Sequence, residues 1–398
     1  MQDATAVATP EETTALPYRG FNPDGAPSSK TNLMEASKQW WSRPDDERFL
    51  SLEELHASTL ERADRSDVQL LRSEEITAHG RFAELEGEDM SMMVFETPEG
   101  ITMPTNWSFG QLCRQAKFDS RTAIRTHPKI AADGINYGLR EVNPSEDCLA
   151  MTMTQNGEQV FRAVTSSGYG RIYDHKVVEM VQRMNDRQGN RWKIPGASYA
   201  SSNPRRATTL YASDRDCFIF LVDESTPIEV PHPNRTDGHE TLFRGFFLWN
   251  SEVGKTSFGL ATFLYNFVCD NRIVWGAQDV KELRIRHTSG APERFEREGQ
   301  AVLRKYAAAT LDETRATVQK AITTKVGSTD DEVLEWLGKR GFTKAQGGEV
   351  MKAAAAEEGE ARSVWDLVQG GTALARQQTH TDSRLDTEKR ASALLNTI

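Results

Sequence analysis

Apolar and polar residues change their spacing several times along the chain, and each change marks an element. Between residues 148 and 164 they alternate on both sides of Gln155-Asn156-Gly157-Glu158. Asn-Gly supplies the positive φ of a tight turn, so this stretch predicts a β-hairpin inside a central sheet. A second hairpin is predicted over 92–96 and 101–103, around Pro98-Glu99-Gly100. Further strands are expected at 207–212 and 217–223, as a hairpin at 242–249 and 257–269, and at 283–287. Helical spacing fills much of the rest. Ser51 opens a short peripheral helix carrying Leu52, Leu55 and Leu60. Thr105 or Asn106 caps a helix through Phe109, Leu112 and Cys113, and another spans 130–139. Asp174 caps a helix with Val177, Val178, Val181 and Met184 that Gly189 ends. From Pro292 onward the spacing is helical, with a long or broken helix to Ile322. A helix opened by Ser328 and Thr329 should stop at Gly341, and others cover 348–356, 363–377 and 382–395.

Strands follow strands without regular βαβ alternation, which predicts an α+β fold: a central antiparallel-rich sheet with flanking helices and a helical C-terminal region. The expected organisation is a disordered arm (1–30), an N-terminal helix and hairpin region (31–104), a central core (105–290) and a helical region (291–398). The arm carries Pro10, Pro17, Pro23 and Pro27 and lacks an apolar face.

Composition narrows the function. The 398 residues are 38% hydrophobic and include eight Trp, enough for a sizeable core, and the net charge of -10 argues against general coating of nucleic acid. Any nucleic-acid site must be local. Cys113, Cys148, Cys217 and Cys269 are widely spaced and form no C-x-x-C pair, so neither a disulfide framework nor zinc is expected, and a reducing compartment fits. Asp3, Glu11 and Glu12 stand where a signal peptide needs a basic start, and no run approaches about 18 apolar residues, so neither export nor a membrane span is expected.

Three stretches, 161–173, 244–254 and 268–276, together resemble a known family. They read Phe161-Arg-Ala-Val-Thr-Ser-Ser-Gly-Tyr-Gly-Arg-Ile-Tyr173, Arg244-Gly-Phe-Phe-Leu-Trp-Asn-Ser-Glu-Val-Gly254 and Val268-Cys-Asp-Asn-Arg-Ile-Val-Trp-Gly276. The likeness is to the phage/plasmid-like proteins grouped as domain of unknown function nine-thirty-two, and it runs from about residue 105 to 375. It implies a mobile-element protein of the bacterial cytoplasm that works near replication or recombination. It supplies no catalytic residues.

Charge patterning supplies the main candidate site. Residues 161–206 carry nine basic groups against Asp174, Glu179 and Asp186, with Tyr169, Tyr173, Trp192 and Tyr199 interleaved. Single-strand binders combine cations that track phosphates with aromatic faces that stack bases. Arg162, Arg171, Lys176, Arg191, Trp192, Lys193, Arg205 and Arg206, joined by Lys255 and Arg272, are therefore the candidate nucleic-acid contacts. The competing reading is a solvated helix face plus core aromatics. Asn250, Ser251, Glu252 and Asn271 form a polar cluster that either holds a turn or presents a functional loop. Gly254-Lys255-Thr256 mimics the end of a P-loop, but Trp249 stands where Gly is required, and nucleotide hydrolysis is rejected. Cys269 reads as a structural thiol. Asp214, Asp216, Asp223 and Glu224 would make a two-metal nuclease centre only if folded against Glu252. His232 and His239 flank a loop read as plain and exposed, or as a metal or flexible contact. No cofactor or metal is expected, and catalysis is not required. The expected partners are single-stranded DNA or RNA, a second copy of the chain, and a host or phage replication or recombination protein. The expected role is assistance to annealing, replication or recombination. The alternatives are a protein-interaction or assembly factor, such as an inhibitor of a host defence enzyme, and a metal-dependent nuclease.

Overall fold

A computed structural model describes residues 44–85, 88–195, 208–234, 238–266, 272–275, 283–359, 361–377, 390–391 and 393–397. The expected N-terminal arm, Tyr199, Arg205, Arg206, Cys269, Asn271 and most of the helix expected at 382–395 lie outside these residues. In chain order the elements are β1 (Arg48–Phe49), α1 (Leu52–Asp64), β2 (Ser66–Arg72), β3 (Thr77–Leu85), β4 (Glu88–Thr97), β5 (Gly100–Pro104), α2 (Asn106–Gln115), α3 (Ser120–Arg125) and α4 (Pro128–Tyr137). Then come β6 (Asp147–Gln155), β7 (Glu158–Ser166), α5 (Asp174–Arg187), β8 (Trp192–Lys193), β9 (Leu210–Ala212), β10 (Cys217–Pro231), β11 (His239–Asn250), β12 (Phe258–Asn266), β13 (Arg272–Trp275) and β14 (Leu283–Ile285). The chain closes with α6 (Gln300–Ala308), α7 (Asp312–Thr323), α8 (Asp330–Gly338), α9 (Lys344–Glu358) and α10 (Val364–Gln377).

The strands form two sheets. The larger runs β1-β9-β10-β11-β12-β13, with β8 also on β10 and β14 also on β12, and every pair is antiparallel. The smaller runs β2-β6-β7-β5-β4-β3, antiparallel except between β5 and β7. This is the expected α+β architecture. Strands from both sides of residue 105 share the smaller sheet. The hairpin predicted at 148–164 is β6 and β7, with Asn156 at φ 50° and Gly157 at φ 83°, the paired positive values of a two-residue turn.

Continuous apolar runs in β10 and β11 bury both faces of the larger sheet. Ile219, Leu221, Phe246 and Leu248 meet Leu55 of α1, Val178 and Val181 of α5, and Leu303 and Tyr306 of α6. Helix α1 is thus part of the core and not peripheral, because Leu55 is fully buried. On the opposite face Phe218, Phe220, Phe247, Trp249 and Phe263 form an aromatic layer. The C-terminal helices pack on the far end of the same sheet, where Val318, Val333 and Trp365 meet Ile228, Val230 and Leu242. Helices α2 to α4 cover the smaller sheet, with Leu112 and Ile135 beside Phe95 and Phe161.

The two sheets meet at the turn between β11 and β12. The Trp107 indole N–H and the Gln111 side-chain amide, both on α2, donate to the Val253 carbonyl at 2.8 and 2.7 Å. Gly259 lies flat under Trp249, and a Cβ there would come within 1.9 Å of the indole ring. Gly259→Ala is expected to lower stability by roughly 1–3 kcal/mol, as overpacking does. A urea unfolding midpoint unchanged by the substitution would contradict this contact.

Candidate functional site

A break in strand register creates the most elaborate polar feature. Met151 pairs with Ala163 and Thr152 with Phe161, which leaves Arg162 as the extra residue of a bulge on β7. A bulge re-aims its side chain, and Arg162 is carried into the junction between the sheets, where it is 4% exposed. Its guanidinium sits 3.1 Å from Glu252 Oε2 and donates to Ser66 Oγ at 2.9 Å.

Glu252 lies in the turn that follows β11 and is also buried. Its Oε1 accepts the Asp174 backbone N–H at 2.9 Å, and its backbone carbonyl accepts from the Arg171 guanidinium. Asn250 donates to the Ile172 carbonyl at 2.8 Å and to Asp174 Oδ1 at 2.7 Å. Asp174 was expected to cap α5; it is instead the first helical residue, and Asn250 holds its carboxyl group. Burial pushes Asp174 up to about 8, with the nearby Glu252 charge adding to the rise. Burial also works against ionised Glu252, but Arg162, Arg62, the Asp174 N–H and Arg171 outweigh it and hold this carboxyl below its ordinary range. The two shifts run in opposite directions, so the knot favours a charged Glu252 beside a protonated Asp174.

These bonds redraw the expected nucleic-acid face. Arg162 and Arg171 are committed to Glu252 and are buried, so they are not surface contacts for phosphate. Trp192 is 1% exposed and packs against Phe246 and Tyr306, so no base can stack on it. Arg191 donates to the Gln188 carbonyl at 3.0 Å and lies 3.8 Å from Asp223. Lys255 pairs with Asp216 at 2.7 Å, and Lys176 with Glu179 at 3.2 Å. Tyr169 stacks on His287 and donates to the Ser251 carbonyl at 2.9 Å. Lys193 is exposed, and Arg272 opens β13 opposite Asn266. Ser251 holds the turn by donating to the Arg215 carbonyl and accepting the Lys255 N–H. The acids considered for a nuclease centre are engaged in the same way: Asp216 holds Lys255, Asp223 accepts from the Thr226 hydroxyl, and Glu252 holds Arg162. Burial pushes the Cys113 and Cys148 thiols up to about 12, which makes them inert.

Three arginines gather elsewhere on the surface. Met180, Arg183, Met184 and Arg187 lie along one stripe of α5, and Gln300, Leu303 and Arg304 lie along the facing stripe of α6. Together they line a shallow open cleft with an apolar floor and three arginine side chains. Arg183 is 3.7 Å from Glu179, and Arg304 Nε donates to the Gln300 carbonyl at 3.2 Å. Arg183 and Arg187 belong to the basic segment read from the sequence; Arg304 was missed, since only the fold brings it near them.

Residues 163–337 match the family model described as Domain of unknown function (DUF932). This DUF932 segment is narrower than the 105–375 span of the resemblance. It contains Arg171, Asp174, the 250–252 turn and both walls of the cleft, and begins one residue after Arg162. No curated protein and no solved structure matches the chain. Among the described residues, no helix is long and apolar enough to cross a membrane.

Asp174 gives the knot a pH signature. Its raised folded value means that the native state keeps a proton the unfolded chain releases near 4, so its contribution is present at low pH and lost as pH rises toward about 8. Glu252 acts in the opposite sense, but only at the acid end of the range. Between pH 5 and 8 wild-type stability should therefore fall relative to Asp174→Asn, by at most about 1.4 kcal/mol per pH unit. Parallel urea-unfolding curves for the two proteins across this window would show that Asp174 is ionised throughout.

Proposed function

We propose that this chain is a DNA-metabolism protein of a phage or plasmid that binds a single nucleic-acid strand in the cleft between α5 and α6. The observation that carries this reading is the set of three guanidinium groups, from Arg183, Arg187 and Arg304, around the methionine and leucine floor. Guanidinium groups pair with phosphate oxygens in a planar fork. The floor of Met180, Met184 and Leu303 is nearly closed to water, so the guanidinium groups make the contacts. With a chain charge of -10, attraction to nucleic acid must be local. No catalytic step is part of this role, which is to hold a strand during annealing, replication or recombination.

Fluorescence-anisotropy titration of a labelled oligonucleotide at several salt concentrations tests it. Each phosphate contact on a single strand contributes about 0.7 to the slope of log affinity against log salt. Arg187→Ala with Arg304→Ala is expected to flatten the slope by about twice that amount. No saturable binding by the wild type at low salt would sink the reading. The protein-interaction alternative has its own support in Ile130 and Tyr137, one stripe of α4, with Val142 just beyond; they are 62%, 66% and 53% exposed.

A further inference from the structure

We infer that His232, Glu240 and Glu358 form a binding site for one divalent transition-metal ion that clasps the C-terminal helices to the larger sheet. The three come from distant parts of the chain: His232 directly follows β10, Glu240 lies on β11, and Glu358 is the last residue of α9. One ligand atom from each lies within 4.8 Å of the other two. His232 Nε2 is 3.8 Å from Glu358 Oε2, close to the separation of about 3.4 Å between donors in a tetrahedral zinc site. All three residues are at most 3% exposed. An imidazole and two carboxylates converging in a place nearly closed to water supply the nitrogen and oxygen donors that a divalent cation takes. One imidazole nitrogen with two carboxylate oxygens suits Zn2+, with Mn2+ or Fe2+ as competitors. Burial makes the site structural, since no substrate can reach it.

Loading the ion changes the turn beside it. The Asn234 N–H points at His232 Nδ1 from 3.2 Å. Coordination through Nε2 places the ring proton on Nδ1, so that long contact must open and the Asn234 amide turns away. Asn234 also joins the same two parts of the chain by donating its side-chain amide to the Glu358 carbonyl at 3.4 Å.

The test is titration of chelator-stripped full-length protein with Zn2+, followed by calorimetry and thermal unfolding, and with Co2+, followed by visible absorption. The expected result is one equivalent bound and a rise in thermal midpoint of roughly 3–8 °C at saturating metal. Glu358→Gln and His232→Gln, each checked for folding by circular dichroism, should lose that rise. Absence of saturable Zn2+ uptake and of a Co2+ band in the wild type overturns the site whether or not the variants fold. One equivalent that still binds both folded variants also overturns it, because the ion then sits elsewhere.

Discussion

The buried ion pair between Arg162 and Glu252 is the contact on which the arrangement of the two sheets rests. Arg162 reaches it because β7 bulges, and Glu252 reaches it because the chain turns after β11. Through Glu252 the same contact holds the start of α5 and the Arg171 side chain. An ion pair this deep gains little over apolar packing of similar volume, but removing one partner strands a charge and costs about 3–5 kcal/mol. Its effect is therefore one of specification: the smaller sheet has one position on the larger, and α5 has one starting point.

That fixed start decides what the basic segment can do. Charge counting along 161–206 treats every arginine as available, whereas the fold consumes Arg162 and Arg171 in the knot and Arg191 in local bonds. Once the start of α5 is anchored, its helical period turns Val178 and Val181 into the core and leaves Arg183 and Arg187 on the side facing Arg304. The surface cations are set by which residues the interior has already used.

Local signals were legible in the sequence where the physics is local. Asn156-Gly157 announces its own turn, and Thr329 caps its helix with Glu332 as the spacing predicts. Strands β2 and β3 were not read, because their polar composition resembles connecting chain; β2 even leaves Leu70 60% exposed at the sheet edge. The second half of β10 was hidden by Ser225-Thr226-Pro227, which sits at a register shift before Ile228 and Val230 resume pairing with β11. The Arg162 bulge, the Arg304 partnership and the convergence of His232 with Glu358 have no local signature. Each depends on strands or helices meeting across a long stretch of chain.

A double-mutant cycle on Arg162 and Glu252, followed by urea unfolding, tests the central claim directly. Arg162→Met and Glu252→Gln should each destabilise the protein strongly, and the double variant should recover part of the loss, with a coupling energy above about 2 kcal/mol. Losses that add to within about 0.5 kcal/mol would mean that the two side chains act independently and that the sheets are joined by packing alone.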